Sequence, residues 1–331
     1  MNETEIAVTA PERAELLPLR ASEPHPGGPL GEHDVEGHTL VTAVSPGTEL
    51  SWAFTGKSFP AYPGYAAVFQ VERTGSGVGD VKPGDHVFCM GGHRSFHKFA
   101  RNRVVKLPAG LDPAAGVLTR LMNVSMSTLV TTTARPPSTI VVSGLGPVGN
   151  LAAQIFHACG YAVLACDPVE WRRALLRDAG IRTLPAIPSA DSEFSGAVEL
   201  VVDCSGHEAA VLDACKLVRK RGEVVLVGVP WRKRTEISAQ ELLSVVFHRF
   251  VVLRSGWEWE VPLDATDFRA GSLMQNLAAG LDWIARKKIS LAGFADRAAP
   301  SAAQRVYSDL LQQRTQTLTT LFDWSNAPLP R

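Results

Sequence analysis

The sequence predicts an α/β protein in which a small antiparallel barrel or sandwich is joined to a doubly wound parallel sheet. Three observations carry this. A glycine turn, Gly144-Leu145-Gly146-Pro147-Val148-Gly149, stands between an apolar strand and an amphipathic helix. From Ser138 to Pro230, continuous apolar strands alternate with helical segments, the pattern of a parallel sheet covered on both faces. The first third is different: rich in Gly, Pro and short alternating apolar stretches.

In chain order, TLVTAVSPGTEL, YAAVFQVERTG, DHVFCM and FHKFARNRVVKLP read as short antiparallel strands. Their β-branched and aromatic residues lie between turn signals such as Pro83-Gly84-Asp85. The period changes after Pro113. Ala114 to Thr133 carries helical patterning, and Arg135-Pro136-Pro137 ends it. STIVVSGLGPVGNLAAQIFHACGYAVLACD is a strand, a turn, a helix and a second strand ending in an acid. ELVVDCSG, HEAAVLDACKLVRKRG and EVVLVGVP then add a strand, a helix closed by Gly222 and another strand. After about Leu281 the patterning is mixed again, and the strand-like run TLTTLFDW is expected in the first domain's sheet. The expected domains are residues 1–122 completed by 285–331, and residues 123–284.

A length of 331 residues supports about two domains. Lys+Arg 33 balances Asp+Glu 33, so no large basic surface is indicated, which argues against nucleic acid or an anionic membrane as partner. The opening MNETEIAVTAPERAE is polar and acidic, unlike a secretory signal, and no apolar run approaches the roughly 20 residues that cross a bilayer. A cytosolic protein acting on a small molecule is expected. Cys89, Cys159, Cys166, Cys204 and Cys215 are scattered and form no Cys-x-x-Cys pair, so buried free thiols are expected and a structural zinc lobe is not.

The chemical signal is the glycine turn in its context. GxGxxG follows a strand and opens a helix, and the next strand delivers Asp167 about 20 residues on. The glycines allow the turn, backbone approach to a pyrophosphate and close helix packing, and the helix N-terminus faces the phosphates with unpaired N–H groups. Asp167 can accept from the adenosine ribose hydroxyls. Its charge would repel a 2′-phosphate, which favours NAD, while Arg172 or Arg173 could meet such a phosphate and leaves NADP possible. Ser205-Gly206 and Val227-Gly228-Val229 end later strands and are expected on the nicotinamide side. A nicotinamide dinucleotide implies hydride transfer.

A barrel-like first domain, this nucleotide-binding domain and a C-terminal return together resemble the medium-chain dehydrogenase/reductase superfamily. That resemblance implies a GroES-like catalytic domain and a Rossmann domain. Pro46-Gly47-Thr48-Glu49 and Gly64-Tyr65-Ala66 match the Cys-Gly-Thr-Asp and Gly-His-Glu type segments of its zinc enzymes. Pro46 thus stands where the cysteine ligand would be and Tyr65 where the histidine would be, and Arg120 to Ser125 offers no cysteine as a third ligand. No bound zinc is expected. SPGTE, YPGYAAV, DHVFCMGGH and FHRFVVLRS resemble the zinc-free branch that includes bacteriochlorophyllide dehydrogenases, which oxidise a hydroxyethyl group to an acetyl group. Gly92-His93-Arg94 and Asn123 depart from that branch, which has a Pro-His-Gln type segment and an acid at these places. The resemblance also implies a homodimer joined near FVVLRS.

Without zinc, side-chain donors must handle the alcohol proton. Thr48, by its resemblance to the hydroxyl residue beside the missing cysteine, could pass a proton. Tyr65 could donate a phenol proton, and His93 could complete a relay. Asn123 joins them as a candidate. Each has a plainer alternative: Thr48 as a turn cap, Tyr65 as a filler, His93 as a solvated loop histidine. Glu49 is expected to anchor structure through an arginine, and Tyr62 to pack. His97, Lys98 and His248 are weaker candidates, expected at a surface or interface. Trp257 and Trp259 could form an apolar substrate wall, the core or a dimer contact. The expected function is a zinc-independent, NAD-preferring dehydrogenase of a secondary alcohol or ketone in specialised metabolism. A zinc-free reductase of an activated C=C or C=N bond, or a non-catalytic dinucleotide-binding protein, are the alternatives.

Overall fold

The computed structural model describes residues 3–269 and 271–325. Its contacts divide the chain into two compact units. The first holds the chain up to Arg120, Leu277–Arg286 and the part from Gly293 onward; the second holds Leu121–Asn276 and Lys287–Ala292.

The first unit begins with an antiparallel hairpin, β1 (Thr4–Ala10) and β2 (Arg13–Pro18). Next come β3 (Asp34–Ala43), α1 (Pro46–Glu49), β4 (Ala67–Gln70), β5 (Arg73–Thr74), β6 (His86–Cys89), β7 (Phe96–Ala100), β8 (Val104–Lys106) and α2 (Pro113–Gly116). The ten-residue β3 is the spine of this sheet, pairing antiparallel with β4, β5 and β7. From β4 the sheet continues through β6 to β8. Val35, Phe69, Val87, Cys89 and Val104 meet inside it, and each aliphatic or aromatic side chain so buried contributes about 1.5–3 kcal/mol.

The single helix expected over 114–133 is broken. Asp112 caps α2 through a hydrogen bond from Ala114 N, and α3 (Thr119–Thr131) starts afresh. Gly116 closes α2 against Leu107, whose Cδ2 would lie 2.9 Å from a Cβ there. A side chain at that position would require the Leu107 side chain to move aside.

The second unit carries β9 (Thr139–Ser143), α4 (Pro147–Ala158), β10 (Ala162–Cys166), α5 (Glu170–Arg177), β11 (Arg182–Leu184) and β12 (Val198–Asp203). It continues with α6 (Glu208–Leu217), β13 (Glu223–Leu226), α7 (Ala239–Arg249) and β14 (Val252–Ser255). All six strands run parallel in the order β11-β10-β9-β12-β13-β14, the doubly wound arrangement whose strand order reverses beside the first strand. TIVVS, AVLAC and VELVVD are apolar almost throughout because both faces are covered.

The chain then runs through α8 (Leu273–Ala285), β15 (Ala295–Ala298), α9 (Ala303–Leu311) and β16 (Thr319–Asp323). TLTTLFDW supplies β16, which lies antiparallel to β3 and parallel to β15. α9 buries Val306, Tyr307 and Leu310 against Ile6, Val8, Phe54 and Phe322. Among the described residues no helix is long and apolar enough to cross a membrane.

Candidate functional site

In the second unit the glycine turn is a strand-to-helix corner. Gly146 is the N-cap of α4 and Pro147 its first residue, so the helix opens without one of the amides that would have no internal partner. Gly149 cannot be anything larger: a Cβ there would lie 1.7 Å from the Gly144 carbonyl oxygen. Leu145 is fully buried, and its N–H donates to Asp167 Oδ2 at 2.8 Å. That N–H is therefore engaged by the acid. Asp167 also accepts from Val169 N at 2.8 Å, and Arg172 stands 3.6 Å from its carboxylate. Arg173 instead donates to the Asp167 carbonyl and pairs with Glu170. The amides of Val148 and Gly149 open the first turn, where an anion is favoured.

The later strand ends interlock with this corner. A Cβ on Gly144 would meet Ser205, and one on Gly228 would lie 2.4 Å from Gly206 N. Asp203, fully buried at the end of β12, organises both turns. Its carboxylate accepts from Ser205 Oγ at 2.6 Å and Gly206 N at 3.2 Å, and its carbonyl from Val227 N and Gly228 N. Burial pushes the Asp203 carboxyl up, opposed by these hydrogen bonds. Sequence reasoning missed this residue, although an acid closing an apolar strand was its signal. Val229 is exposed.

In the first unit, Thr48 and Tyr65 are brought together. Tyr65 donates to Ser45 Oγ and shares a hydrogen bond with Thr48. Both Thr48 and Tyr65 are half-buried, whereas Ser45 is buried. The Arg120 guanidinium lies over the Tyr65 ring, 4.6 Å from its centre. Burial pushes the Tyr65 phenol above its ordinary range, and the positive charge of Arg120 pulls the other way. Just before it, Gly64 has φ +97°, and a Cβ there would strike His93, so a side chain is barred from this position.

Behind this cluster lies a sealed polar network, and it corrects two expectations. Glu49 is fully buried, and among the described residues no arginine anchors it. It accepts from Ser45 N at 2.7 Å, Tyr307 Oη at 2.6 Å and His93 Nε2 at 2.9 Å. A dry carboxylate needs several donors at once, and the loop before α1, the loop between β6 and β7 and the helix α9 each supply one. His93 is not a solvated loop residue: it is 2% exposed, with Nδ1 facing Thr42 Oγ1 at 2.7 Å. Trp324 Nε1 donates to the same Thr42 oxygen at 3.0 Å. With Nε2–H donating to Glu49, Thr42 can donate to Nδ1, and every member is satisfied with a neutral imidazole. The side-chain hydrogen bonds of His93 thus lead toward the Tyr65 cluster through Glu49 and the backbone of Ser45, while its backbone N–H donates to Pro63 O at 3.1 Å.

Asn123 belongs to the second unit, fully buried, its amide donating to Glu258 at 3.2 Å. His97 is no surface residue: fully buried, it bonds Thr39 Oγ1 at 2.8 Å and lies between the rings of Phe69 and Phe99, with burial pulling its pKa well down. Lys98 donates to Pro29 O, and His248 is exposed on α7. Trp257 and Trp259 are 67% and 49% exposed, which removes the core reading for them. Tyr62 packs under the Arg20 guanidinium, 3.4 Å away. The roughly 200 Å³ cleft beside it is lined by Arg20, Arg94, Glu5 and Glu23, which pair among themselves. All five cysteines are free, three of them buried. Among the described residues no group of three or more His, Cys, Asp or Glu side chains is arranged to hold a metal ion.

Comparison with known proteins adds a family context. Residues 147–257 match the family model described as zinc-binding dehydrogenase. The chain is 31% identical over 136 residues to a glucose 1-dehydrogenase of Metallosphaera sedula, covering 40% of this chain and 36% of that protein. To an alcohol dehydrogenase of Geobacillus stearothermophilus it is 27% identical over 210 residues, 52% of this chain and 62% of the relative. The chain thus spans between about a third and two thirds of the length of these relatives. The fold is that of the crystal structure of galactitol-1-phosphate dehydrogenase from Escherichia coli, at TM-score 0.78 and 15% identity over 97% of this chain and 99% of that one. Residues 147–257 are thus similar to zinc-binding dehydrogenases, and the fold is shared with a solved dehydrogenase.

Proposed function

We propose that this protein is a zinc-independent oxidoreductase that moves hydride between a nicotinamide dinucleotide and a secondary alcohol or the matching ketone. The observation that carries it is the three-hydroxyl cluster of Ser45, Thr48 and Tyr65, in which Tyr65 stands, by the resemblance, where zinc relatives have a histidine ligand. The donor set does not fit zinc. Pro46 has no side-chain donor, and the Tyr65 phenol, raised by burial, stays protonated at neutral pH and donates to Ser45. The resemblance to the zinc-free, bacteriochlorophyllide dehydrogenase branch points the same way.

A dinucleotide would be held by the Gly144–Gly149 turn and the first amides of α4, with Asp167 taking the ribose hydroxyls. Ser205, Gly206, Val227, Gly228 and Val229 would line its nicotinamide end. NAD is favoured because the Asp167 carboxylate, bonded to the turn at Leu145 N, would repel a 2′-phosphate; Arg172, already 3.6 Å from that carboxylate, is the residue through which NADP would be accommodated. When bound, the nicotinamide supplies or accepts the hydride. The chain's own groups manage the proton: the Tyr65 phenol gives it to the ketone, and in the alcohol direction Tyr65 takes it as the phenolate, formed by prior loss of its own proton to solvent, with Thr48 sharing its hydrogen bond. His93, buried and bonded to Glu49, stands behind this cluster, and Asn123, in the second unit, is buried and bonded to Glu258.

A homodimer in the cytosol completes the proposal. β14 is an edge strand, and Leu243, Phe247, Phe250 and Val252 leave 66%, 77%, 64% and 48% of their surface exposed beside it. The test is kinetic. Tyr65→Phe and Thr48→Val should each lower kcat about 100-fold while NADH affinity stays nearly intact. Unchanged turnover in both, or stoichiometric zinc by metal analysis, would reject the proposal.

A further inference from the structure

Ser45 caps α1 without using its side chain. An N-cap serine ordinarily turns its Oγ to an amide of the first turn, but here no such bond forms, and Oγ accepts from the Tyr65 phenol instead. Its backbone N–H is held at 2.7 Å by Glu49, so the hydroxyl has a fixed foundation. The guanidinium of Arg120, a residue only 4% exposed, lies against the ring of the same tyrosine. A cation over an aromatic face is attracted by the ring, and more so once the ring carries a full negative charge.

We propose that Ser45 and Arg120 are positioning residues for Tyr65, Ser45 by a hydroxyl that accepts from the phenol and turns to donate to the phenolate, and Arg120 by setting a permanent positive charge against its ring, so that this corner can receive the phenolate. The inference rests on the reading of Tyr65 as the group that exchanges a proton with substrate. In alcohol oxidation the phenolate oxygen takes the hydroxyl proton and becomes a phenol; in ketone reduction the phenol gives the proton back. The charged and titratable groups facing Tyr65 are Arg120 from α3, Glu49 from α1, and the His93 ring behind Gly64. Burial and Glu49 both disfavour phenolate, while Arg120 and the hydrogen bonds from Ser45 and Thr48 oppose them.

The experiment reads the tyrosine directly. Ultraviolet absorbance of the full chain is followed against pH for the wild type, Arg120→Met, Arg120→Lys and Ser45→Ala, each with a Tyr65→Phe background subtracted. Removal of the guanidinium or of the hydroxyl should move Tyr65 ionisation to higher pH, and Arg120→Lys should restore part of the shift. On a productive substrate, kcat at neutral pH should fall about tenfold in Arg120→Met, with KM little changed and the alkaline limb of the pH profile displaced in step. If Arg120→Met does not fold, Arg120→Lys and Ser45→Ala still decide the matter. Identical Tyr65 titrations in the wild type and every folded variant would overturn the inference. Retained turnover in Tyr65→Phe would instead overturn the reading of Tyr65 itself, and the titration would still be decided on its own terms.

Discussion

On one side of α1 the Glu49 carboxylate is fully buried and accepts from Ser45 N, Tyr307 and His93; at its start Ser45 Oγ meets Tyr65, with Thr48 sharing the phenol. Both systems contain a tyrosine whose phenol is raised by burial, Tyr307 furthest. They differ in what is left over. In the Glu49 network every group has its partner and water is shut out, so its chemistry is spent on holding α1, α9 and the His93 loop together. In the hydroxyl cluster Thr48 and Tyr65 are half-buried and all three members are neutral, with a cation against the ring. Satisfaction marks the structural network; residual capacity beside a charge marks the reactive one.

The largest blow to this distinction would come from Glu49→Ala. It strands three buried donors and should cost about 3–5 kcal/mol in denaturant unfolding. A loss near zero would mean that the carboxylate is not the keystone of the sealed side. Thr42→Val comes next. It leaves Trp324 Nε1 and His93 Nδ1 without their shared oxygen and should lower stability by about 1–3 kcal/mol, yet leave kcat per folded molecule unchanged. A fall in kcat comparable to that of Tyr65→Phe would merge the two systems into one. The smallest effect belongs to His38, a half-exposed histidine between Glu3 and Glu72. The hydrogen bond to Glu3, first among its causes, raises its pKa to about 9. A raised histidine stabilises most fully below its unfolded value and loses that contribution as pH climbs through the folded one. Wild type and His38→Asn melting temperatures should therefore differ below neutral pH and converge above pH 9; a constant difference would assign His38 to packing.

The second unit was the more legible of the two. Its turn and strands are dictated by backbone needs, glycines at a corner and apolar runs covered on both faces, and these are local in sequence. The first unit was legible in its strands around β3 but not in its contacts. The β1–β2 hairpin leaves little periodic trace because charged residues such as Glu5, Arg13 and Glu15 interrupt its alternation. The true partners of Glu49 are invisible to local pattern because His93 and Tyr307 lie 44 and 258 residues away, beyond any periodic signal. Arg120 sits in a stretch notable in sequence only for lacking cysteine, and Ser45 reads as the residue before a turn, though its place ahead of Pro46 was the available cue.

α1 is a single turn, and its four residues are fastened at both ends to unrelated partners. Adding or deleting one residue there would rotate the downstream side chains by about 100°, sending Glu49 away from His93 and Thr48 away from Tyr65 together. The spacing of SPGTE is therefore a gauge length: substitutions within it can be sampled one at a time, but an insertion would dismantle scaffold and chemistry in the same event.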